Sequence, residues 1–208
     1  NLMIVLKNIN VWVCGLFAGL SFSAIPAFMS LWGIPFLMDK YTINSTLAAS
    51  IVSMGFVGAG IGGPTIGWIS EKLKNRRGLM SLFSFLSLII FCVILFLPIK
   101  VGYMYSLCFA MGFCCSCYVL SFAIVSEMLP GDVQGKAMGF TNMLTLAIGA
   151  PILQPLIGTL LKNPSTHLPI FPSHFATSLF PILLALFLAY LLTFKIKKSR
   201  TQPSQKEV

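Results

Sequence analysis

Apolar residues fill six long runs of the chain, and most charged and turn-forming residues fall in the short segments between them. Each run approaches or exceeds the roughly 20 residues that a helix needs to cross a bilayer. Apolar and polar residues do not alternate within the runs, which favours helices over the strands of a membrane barrel. The pattern predicts an all-α membrane protein whose residues 1–194 form one domain of six transmembrane helices, near 11–37, 46–69, 78–97, 103–125, 135–161 and 176–194.

Composition also favours a membrane protein over a soluble one. Hydrophobic residues make up 57% of the 208 residues and charged residues only 9%, whereas a soluble domain has about 25% charged residues. A single soluble core could not hide this much apolar surface. The formal net charge of +9 suggests nucleic acid at first, but the basic residues are distributed as in a membrane protein. The sequence therefore predicts no nucleic-acid partner.

The basic residues divide unequally between the two sides of the predicted bundle. Because successive helices alternate in direction, the termini and every second loop share one side. That side holds eleven lysines and arginines, and the opposite side holds three, Lys40, Lys100 and Lys162. Cytoplasmic loops are enriched in Lys and Arg, so both termini are predicted to be cytoplasmic, with their basic residues against anionic lipid headgroups. The polar segment 195–208 is predicted to be a disordered, basic cytoplasmic tail.

The second and fifth predicted helices share a local pattern. PTIG at 64–67 in one helix corresponds to PLIG at 155–158 in the other. Both helices are rich in glycine, with the pairs Gly58/Gly62, Gly63/Gly67 and Gly135/Gly139 at a spacing that lets helix backbones approach closely. The pattern suits two three-helix repeats of inverted topology, as in many transporters. The alternative is that the glycines and prolines serve only ordinary helix packing.

The segment 67–77, GWISEKLKNRR, resembles the loop motif of the major facilitator superfamily, roughly G-x-x-x-(D/E)-(R/K)-x-G-x-(R/K)-(R/K). It departs from the commonest form of the motif at two positions, since Glu71 stands where Asp is more usual than Glu and Lys74 stands where Gly is usual. The segments 127–130 (EMLP) and 135–142 (GKAMGFTN) are similar to the family's link between its tenth and eleventh helices, and 32–37 (WGIPFL) to its seventh helix. The resemblance implies the C-terminal half of a twelve-helix transporter fold, with a missing N-terminal six-helix half as its partner.

The resemblance also implies a cytoplasmic gate. In the family, the carboxylate and arginines of the motif hold this gate closed while the cavity is open outward, and a carboxylate is stabilised near the positive N-terminus of a helix. Glu71, at the end of the second predicted helix, would then face the start of the fifth. The alternative is a solvated basic loop that only sets the topology. The predicted gating residues are Gly67, Glu71, Lys72, Arg76, Arg77 and Glu127.

The first and fourth predicted helices correspond to helices that face the central cavity in the family. Both combine aromatic residues with serines, a combination suited to contact with a small polar solute. The substrate-cavity candidates on these helices are Ser23, Trp32, Tyr118 and Ser121.

Two further cavity candidates, Asn142 and Gln154, are amides inside the fifth predicted helix. Placing a side-chain amide in hydrocarbon costs free energy unless the amide has a hydrogen-bond partner. Twelve positions rotate a helix by about 120° beyond three full turns, so the two amides do not share a face. One is expected to face the cavity and the other to bond a neighbouring helix. Alternatively, Asn142 belongs to the gate with Glu71, and Gln154 bonds a backbone carbonyl freed by Pro155.

The sequence carries no arrangement that suggests an enzyme, a cofactor or a bound metal. It shows no acid/base pair, nucleophile-base pair or metal cluster, and its six cysteines lie in apolar runs, where they behave as small hydrophobic residues. No carboxylate lies in the middle of a predicted span. Carboxylates within the membrane are the usual proton relays of proton-coupled transporters. If the whole protein is proton-coupled, the relay is therefore expected to be Glu127 or to lie in the N-terminal half.

Two classes of function remain open. The first is secondary active transport of a small-molecule substrate by alternating access, with or without a coupling proton or ion, in the bacterial inner membrane. This chain would supply one half, since it starts with Asn1 rather than Met and is expected to begin partway through a larger protein; a half-length chain that dimerises is another arrangement. The second class is a non-transporting, receptor-like or inactive membrane protein of the same fold.

Overall fold

The computed structural model describes residues 2–163 and 171–196. All regular structure within these residues is helical. Two short helices, Leu2–Lys7 and His174–Ser178, precede the first and last helices of the bundle. The bundle helices are α1 (Ile9–Tyr41), α2 (Ser45–Leu73), α3 (Arg76–Phe96), α4 (Tyr103–Met128), α5 (Gly131–Lys162) and α6 (Phe180–Thr193).

Each bundle helix lies at one of the predicted apolar runs. Helices α1 to α5 contain between 21 and 33 residues, and all five are long and apolar enough to cross a membrane. Helix α6 has 14 residues, fewer than the roughly 20 of a full span. The described residues thus form a multi-pass membrane protein with five such helices, and a sixth crossing by α6 stays a prediction. Residues 197–208, most of the predicted tail, lie outside the described residues.

Asparagine side chains mark the starts of α2 and α3, and residues with left-handed backbone mark the ends of α1 and α2. Asn44 and Asn75 cap the N-termini of α2 and α3, each accepting a hydrogen bond from the backbone N–H three residues on, at 2.9 and 3.1 Å. Thr42 and Lys74 directly follow the last residues of α1 and α2, and their φ angles are 53° and 50°. Left-handed residues of this kind end helices commonly, and they allow the chain to reverse within a few residues.

Helices α1, α4 and α5 change their winding midway. The π-helical segments Ile25–Trp32 and Gly149–Leu153 interrupt α1 and α5, and the 3-10 turn Ser116–Tyr118 interrupts α4. Each π-helical segment contains a proline, Pro26 or Pro151, which lacks a backbone N–H and crowds the preceding turn. The two segments also touch, because a side chain added at Gly149 would overlap the ring of Pro26.

Helix α2 packs closely against α4 through its small residues. A side chain added at Gly58 or Gly62 would overlap the backbone of Phe109 or Phe113. This glycine pair therefore permits the close approach that its spacing predicts. In the described part of the chain, a side chain would instead meet no atom within 4 Å at Gly63, Gly67, Gly135 or Gly139.

The outer surface of the bundle is largely apolar. On α3 and α6 the exposed side chains are mostly large hydrophobic residues, such as Phe85, Ile89, Leu184, Phe187 and Leu191. A continuous apolar surface of this kind is unsuited to water. It suits the lipid environment that the length and composition of α1 to α5 indicate.

Candidate functional site

The loop between α2 and α3 consists of Lys74 and Asn75 alone. Lys74 adopts φ 50° and ψ 25°, and its N–H donates to the carbonyl oxygen of Ser70 at 3.0 Å. Glycine adopts this left-handed conformation more readily than any other residue. The conformation of Lys74 therefore gives a physical reason why the loop motif usually has glycine there, and it shows that lysine meets the same backbone requirement.

An ion pair joins the start of α3 to the end of α4. Nη2 of Arg76 lies 2.5 Å from Oε1 of Glu127, with side chains 18% and 40% exposed. A second contact lies nearby, because the side-chain amide of Gln134 on α5 donates to the carbonyl oxygen of Ser126. The ends of α3, α4 and α5 are thus tied together on the side predicted to be cytoplasmic.

The other basic residues of the loop motif have separate contacts. The ammonium of Lys72 lies 3.8 Å from the ring centroid of Trp68, an exposed residue one turn earlier on α2. Nη2 of Arg77 donates to the carbonyl oxygen of Phe194 at 2.8 Å. Phe194 directly follows α6, so the arginine satisfies a carbonyl at the C-terminus of that helix. Its positive charge also interacts favourably with the negative end of the helix dipole.

Glu71 stands apart from these contacts. Its side chain is exposed in the last turn of α2. Over residues 2–163 and 171–196 the structure gives it no ion pair or side-chain hydrogen bond, and Arg76 is paired with Glu127 instead. Gly67 lies one turn earlier, where a side chain would meet no atom within 4 Å among the described residues. The structure thus brings together Arg76 and Glu127 and leaves Gly67 and Glu71 on an open surface.

Trp32 and Gln154 lie together where α1 crosses α5. Nε1 of Trp32 donates to the carbonyl oxygen of Gln154 at 3.2 Å, and Nε2 of Gln154 donates to the carbonyl oxygen of Pro26 at 2.8 Å. Gly158 fits closely against the indole ring. Gln154 therefore bonds a neighbouring helix, one of the two roles expected for the amides of α5.

The remaining candidates on α1 and α4 differ in their surroundings. Ser23 is fully buried, and its hydroxyl donates to the carbonyl oxygen of Leu20 at 2.7 Å. Ser121 is also buried, but its hydroxyl has no partner in the described part of the chain. Tyr118 is half-buried, with its ring 4.8 Å from that of Phe22. Of these three, Tyr118 is therefore accessible and Ser121 has unused bonding capacity.

Asn142 occupies an exposed face of α5. Its side chain is exposed, and Gly135, Gly139 and Asn142 follow one another at spacings of four and three residues, which places them on one face of the helix. Both glycines adjoin open space in the described part of the chain. Asn142 is thus exposed, whereas Gln154, beyond the π-helical segment of α5, is bonded to the main chain of α1.

A buried polar contact that the sequence did not reveal joins α1, α3 and α4. Sγ of Cys117 lies 3.3 Å from the hydroxyl of Ser21 and 3.7 Å from that of Ser84. In addition, Ser116 donates to the carbonyl oxygen of Ala59 on α2 at 3.1 Å. Serines in apolar helices are a general signal for contacts between helices. The sequence alone did not show which of its serines would meet.

Comparison with known proteins identifies the family of this chain. The family model described as Major Facilitator Superfamily matches residues 11–208. No match was found among curated protein sequences. The family consists of transporters that bind small-molecule substrates within the membrane. The matched region covers nearly the whole chain and all of α1 to α6 except the first two residues of α1, so the chain belongs to the major facilitator superfamily.

Proposed function

We propose that the chain is the C-terminal six-helix half of a secondary active transporter that moves a small solute by alternating access. The observation that carries this proposal is the exposed face of α5 formed by Gly135, Gly139 and Asn142. An exposed amide is poorly suited to hydrocarbon, and small residues let another helix approach closely. A second six-helix unit would cover this face and give Asn142 a partner.

The proposed solute cavity lies beside α1 and α4, between the two halves. Tyr118 offers an accessible phenol, and Ser121 lies three residues further along α4 with a buried hydroxyl that lacks a partner in the described part. Trp32 presents its ring at the crossing with α5 while its N–H is already bonded to the main chain. In this proposal Tyr118 contacts the solute. Ser23 and Ser121, which are buried and so not open to the interface between the halves, maintain with Gln154 the helices that surround it.

The proposed cytoplasmic gate has a fixed part and an open part. The fixed part is the Arg76–Glu127 ion pair with the cap of Arg77 on Phe194, because these contacts hold α3, α4 and α6 within one unit. The open part is the end of α2 with Gly67, Glu71 and Lys72. An exposed carboxylate there would be stabilised by a helix N-terminus of the other half. The ion pair with Arg76 favours a structural role for Glu127 over that of a proton relay.

The proposed orientation places both ends of the six-helix unit in the cytoplasm. Its support is the excess of Lys and Arg on the side of the α2–α3 loop. Location in the bacterial inner membrane and coupling to a proton or another ion stay predictions.

Reconstitution of the intact protein into vesicles tests the proposal. We expect saturable uptake of a small solute by the intact protein, and none by residues 1–208 alone. Gly139→Trp should abolish uptake because the indole blocks the second unit, whereas Ile89→Trp, on the apolar exterior of α3, should preserve it. Uptake by the isolated chain would contradict the half-transporter role and favour a dimer. Solute binding without uptake by the intact protein would support the receptor-like alternative.

A further inference from the structure

The side chain of Lys40 is held firmly at the end of α1 opposite the basic loop. Its ammonium donates to the carbonyl oxygens of Ile94 at 2.6 Å and Leu97 at 2.9 Å. These carbonyls belong to the C-terminal end of α3, where a positive charge is stabilised by the negative end of the helix dipole. The ammonium also lies 5.7 and 5.6 Å from the ring centroids of Phe36 and Tyr41. The positive charge is therefore fixed in position.

This fixed charge lines an open pocket of about 530 Å³. Lys40 and Lys100 are its charged lining residues, and Tyr41 lies beside them. The hydroxyl of Tyr41 is buried and has no partner in the described part of the chain. The apolar walls are Ile43, Pro98, Ile99 and Val101. The pocket thus combines two cations with an apolar wall, and its described lining residues include no carboxylate.

The pocket lies at the depth where membrane-crossing helices end. Helix α1 ends at Tyr41, α3 ends at Phe96 and α4 begins at Tyr103. Tyr103 is 65% exposed, as aromatic residues commonly are at the level of lipid headgroups. Two of the three lysines on this side of the bundle line the pocket. A ligand there would meet two cations and the apolar side chains of the loops that follow α1 and α3.

We propose that this pocket binds the headgroup of an anionic phospholipid from the non-cytoplasmic leaflet. Lys100 and the fixed ammonium of Lys40 attract the phosphate, and the apolar loop residues contact the glycerol. Two lysines in the described lining, with no carboxylate among them, favour a lipid with net negative charge over a zwitterionic one. The inference requires the proposed orientation, but it does not depend on transport.

Lipid retention by the purified intact protein tests this inference. The protein is placed in nanodiscs of phosphatidylcholine with or without phosphatidylglycerol, and retained lipid is counted by native mass spectrometry. We expect preferential retention of phosphatidylglycerol. Lys100→Gln should reduce this preference about fivefold, since one basic residue near an anionic headgroup has an effect of that size. Lys100→Arg should restore it, because the charge returns.

Lys162→Gln is the matched control, because it removes the same charge on the same side outside the pocket lining. It should leave the preference unchanged. An equal loss in both variants would show a general surface-charge effect and overturn the inference, as would equal retention of both lipids by the wild type. Competition by inorganic phosphate at lipid-equivalent concentration would identify a free-anion site instead. If Lys100→Gln fails to fold, Lys40→Gln replaces it in the same comparison with Lys162→Gln.

Discussion

Trp32 and Gln154 each donate a side-chain hydrogen bond to the main chain of the opposite helix. The indole of Trp32 on α1 bonds the carbonyl oxygen of Gln154 at 3.2 Å, and the amide of Gln154 on α5 bonds that of Pro26 at 2.8 Å. Both contacts lie at or beside a π-helical segment, where the backbone hydrogen bonds differ from those of a regular α-helix. They join the two irregular helices inside a membrane, where polar groups need protein partners.

Replacement of Gln154 by Leu tests the structural role of this contact. The change removes the donor to Pro26, and hydrogen bonds between membrane helices contribute about 0.6 kcal/mol on average and up to about 1.7 kcal/mol. We expect a lower thermal unfolding midpoint of the purified intact protein and an unchanged solute affinity. A variant with normal stability and weakened affinity would instead show that the amide contacts the solute.

Asn142→Leu is expected to behave in the opposite way. Asn142 is exposed on the face of α5 that also carries Gly135 and Gly139, so its partner would come from the other half. Residues 1–208 alone should therefore keep their stability with Leu at this position, while the intact protein loses transport. Parallel unfolding and uptake measurements on both forms check the prediction. Destabilisation of the isolated chain would place the Asn142 amide within the bundle.

The positions of the helices were predictable because each needs a long apolar run. The sixth run was predicted at 176–194, but its main helix, Phe180–Thr193, has only 14 residues. Leu179 separates it from the short helix His174–Ser178. Hydropathy detects the apolar segment but does not locate such a break. Pro181, in the first turn of α6, is the sequence signal that suits a helix start there.

The partners of individual residues were less predictable than the helices. Gly58/Gly62 and Gly135/Gly139 have the same sequence pattern, yet one pair packs against α4 and the other adjoins open space in the described part. Similarly, Glu71 and Glu127 both lie near helix ends, and only Glu127 pairs with Arg76. Spacing fixes the face of a helix that a residue occupies, whereas the neighbour of that face depends on the packing of the whole bundle.

Alanine substitutions two residues apart on α2 test the packing of α2 against α4. A methyl group at Gly58 would overlap the backbone of Phe109, whereas one at Gly60 would meet no atom within 4 Å in the described part. Gly58→Ala should destabilise the isolated chain by about 1–3 kcal/mol, as overpacking does. Gly60→Ala should be neutral or stabilising by up to about 1 kcal/mol. Chemical unfolding in detergent measures both, and equal effects would contradict this account of the interface.

A charge reversal tests the link between Arg76 and Glu127. Arg76→Glu and Glu127→Arg should each lower stability, and the double variant should recover part of the loss because the pair is restored with opposite polarity. Since both side chains are partly exposed, the coupling should be at most about 1 kcal/mol and should weaken at high salt. Glu71→Gln is the control, and it should leave stability unchanged while it lowers transport. A double variant as unstable as the sum of the single variants would exclude direct pairing.

Lys74→Gly tests the backbone requirement at the end of α2. Lys74 is left-handed, with φ 50°, a conformation that disfavours residues with a Cβ by about 1–2 kcal/mol. Glycine removes this strain but loses more conformational entropy on folding, so we expect a net gain of at most about 1 kcal/mol and unchanged transport. Lys72→Gly is the matched control, since Lys72 lies in the last turn of α2 with helical backbone, and glycine there should destabilise by at most about 1 kcal/mol. Thermal unfolding of the purified protein separates the two variants. If both variants lose stability equally, the conformation of Lys74 is not what favours glycine at this position of the motif.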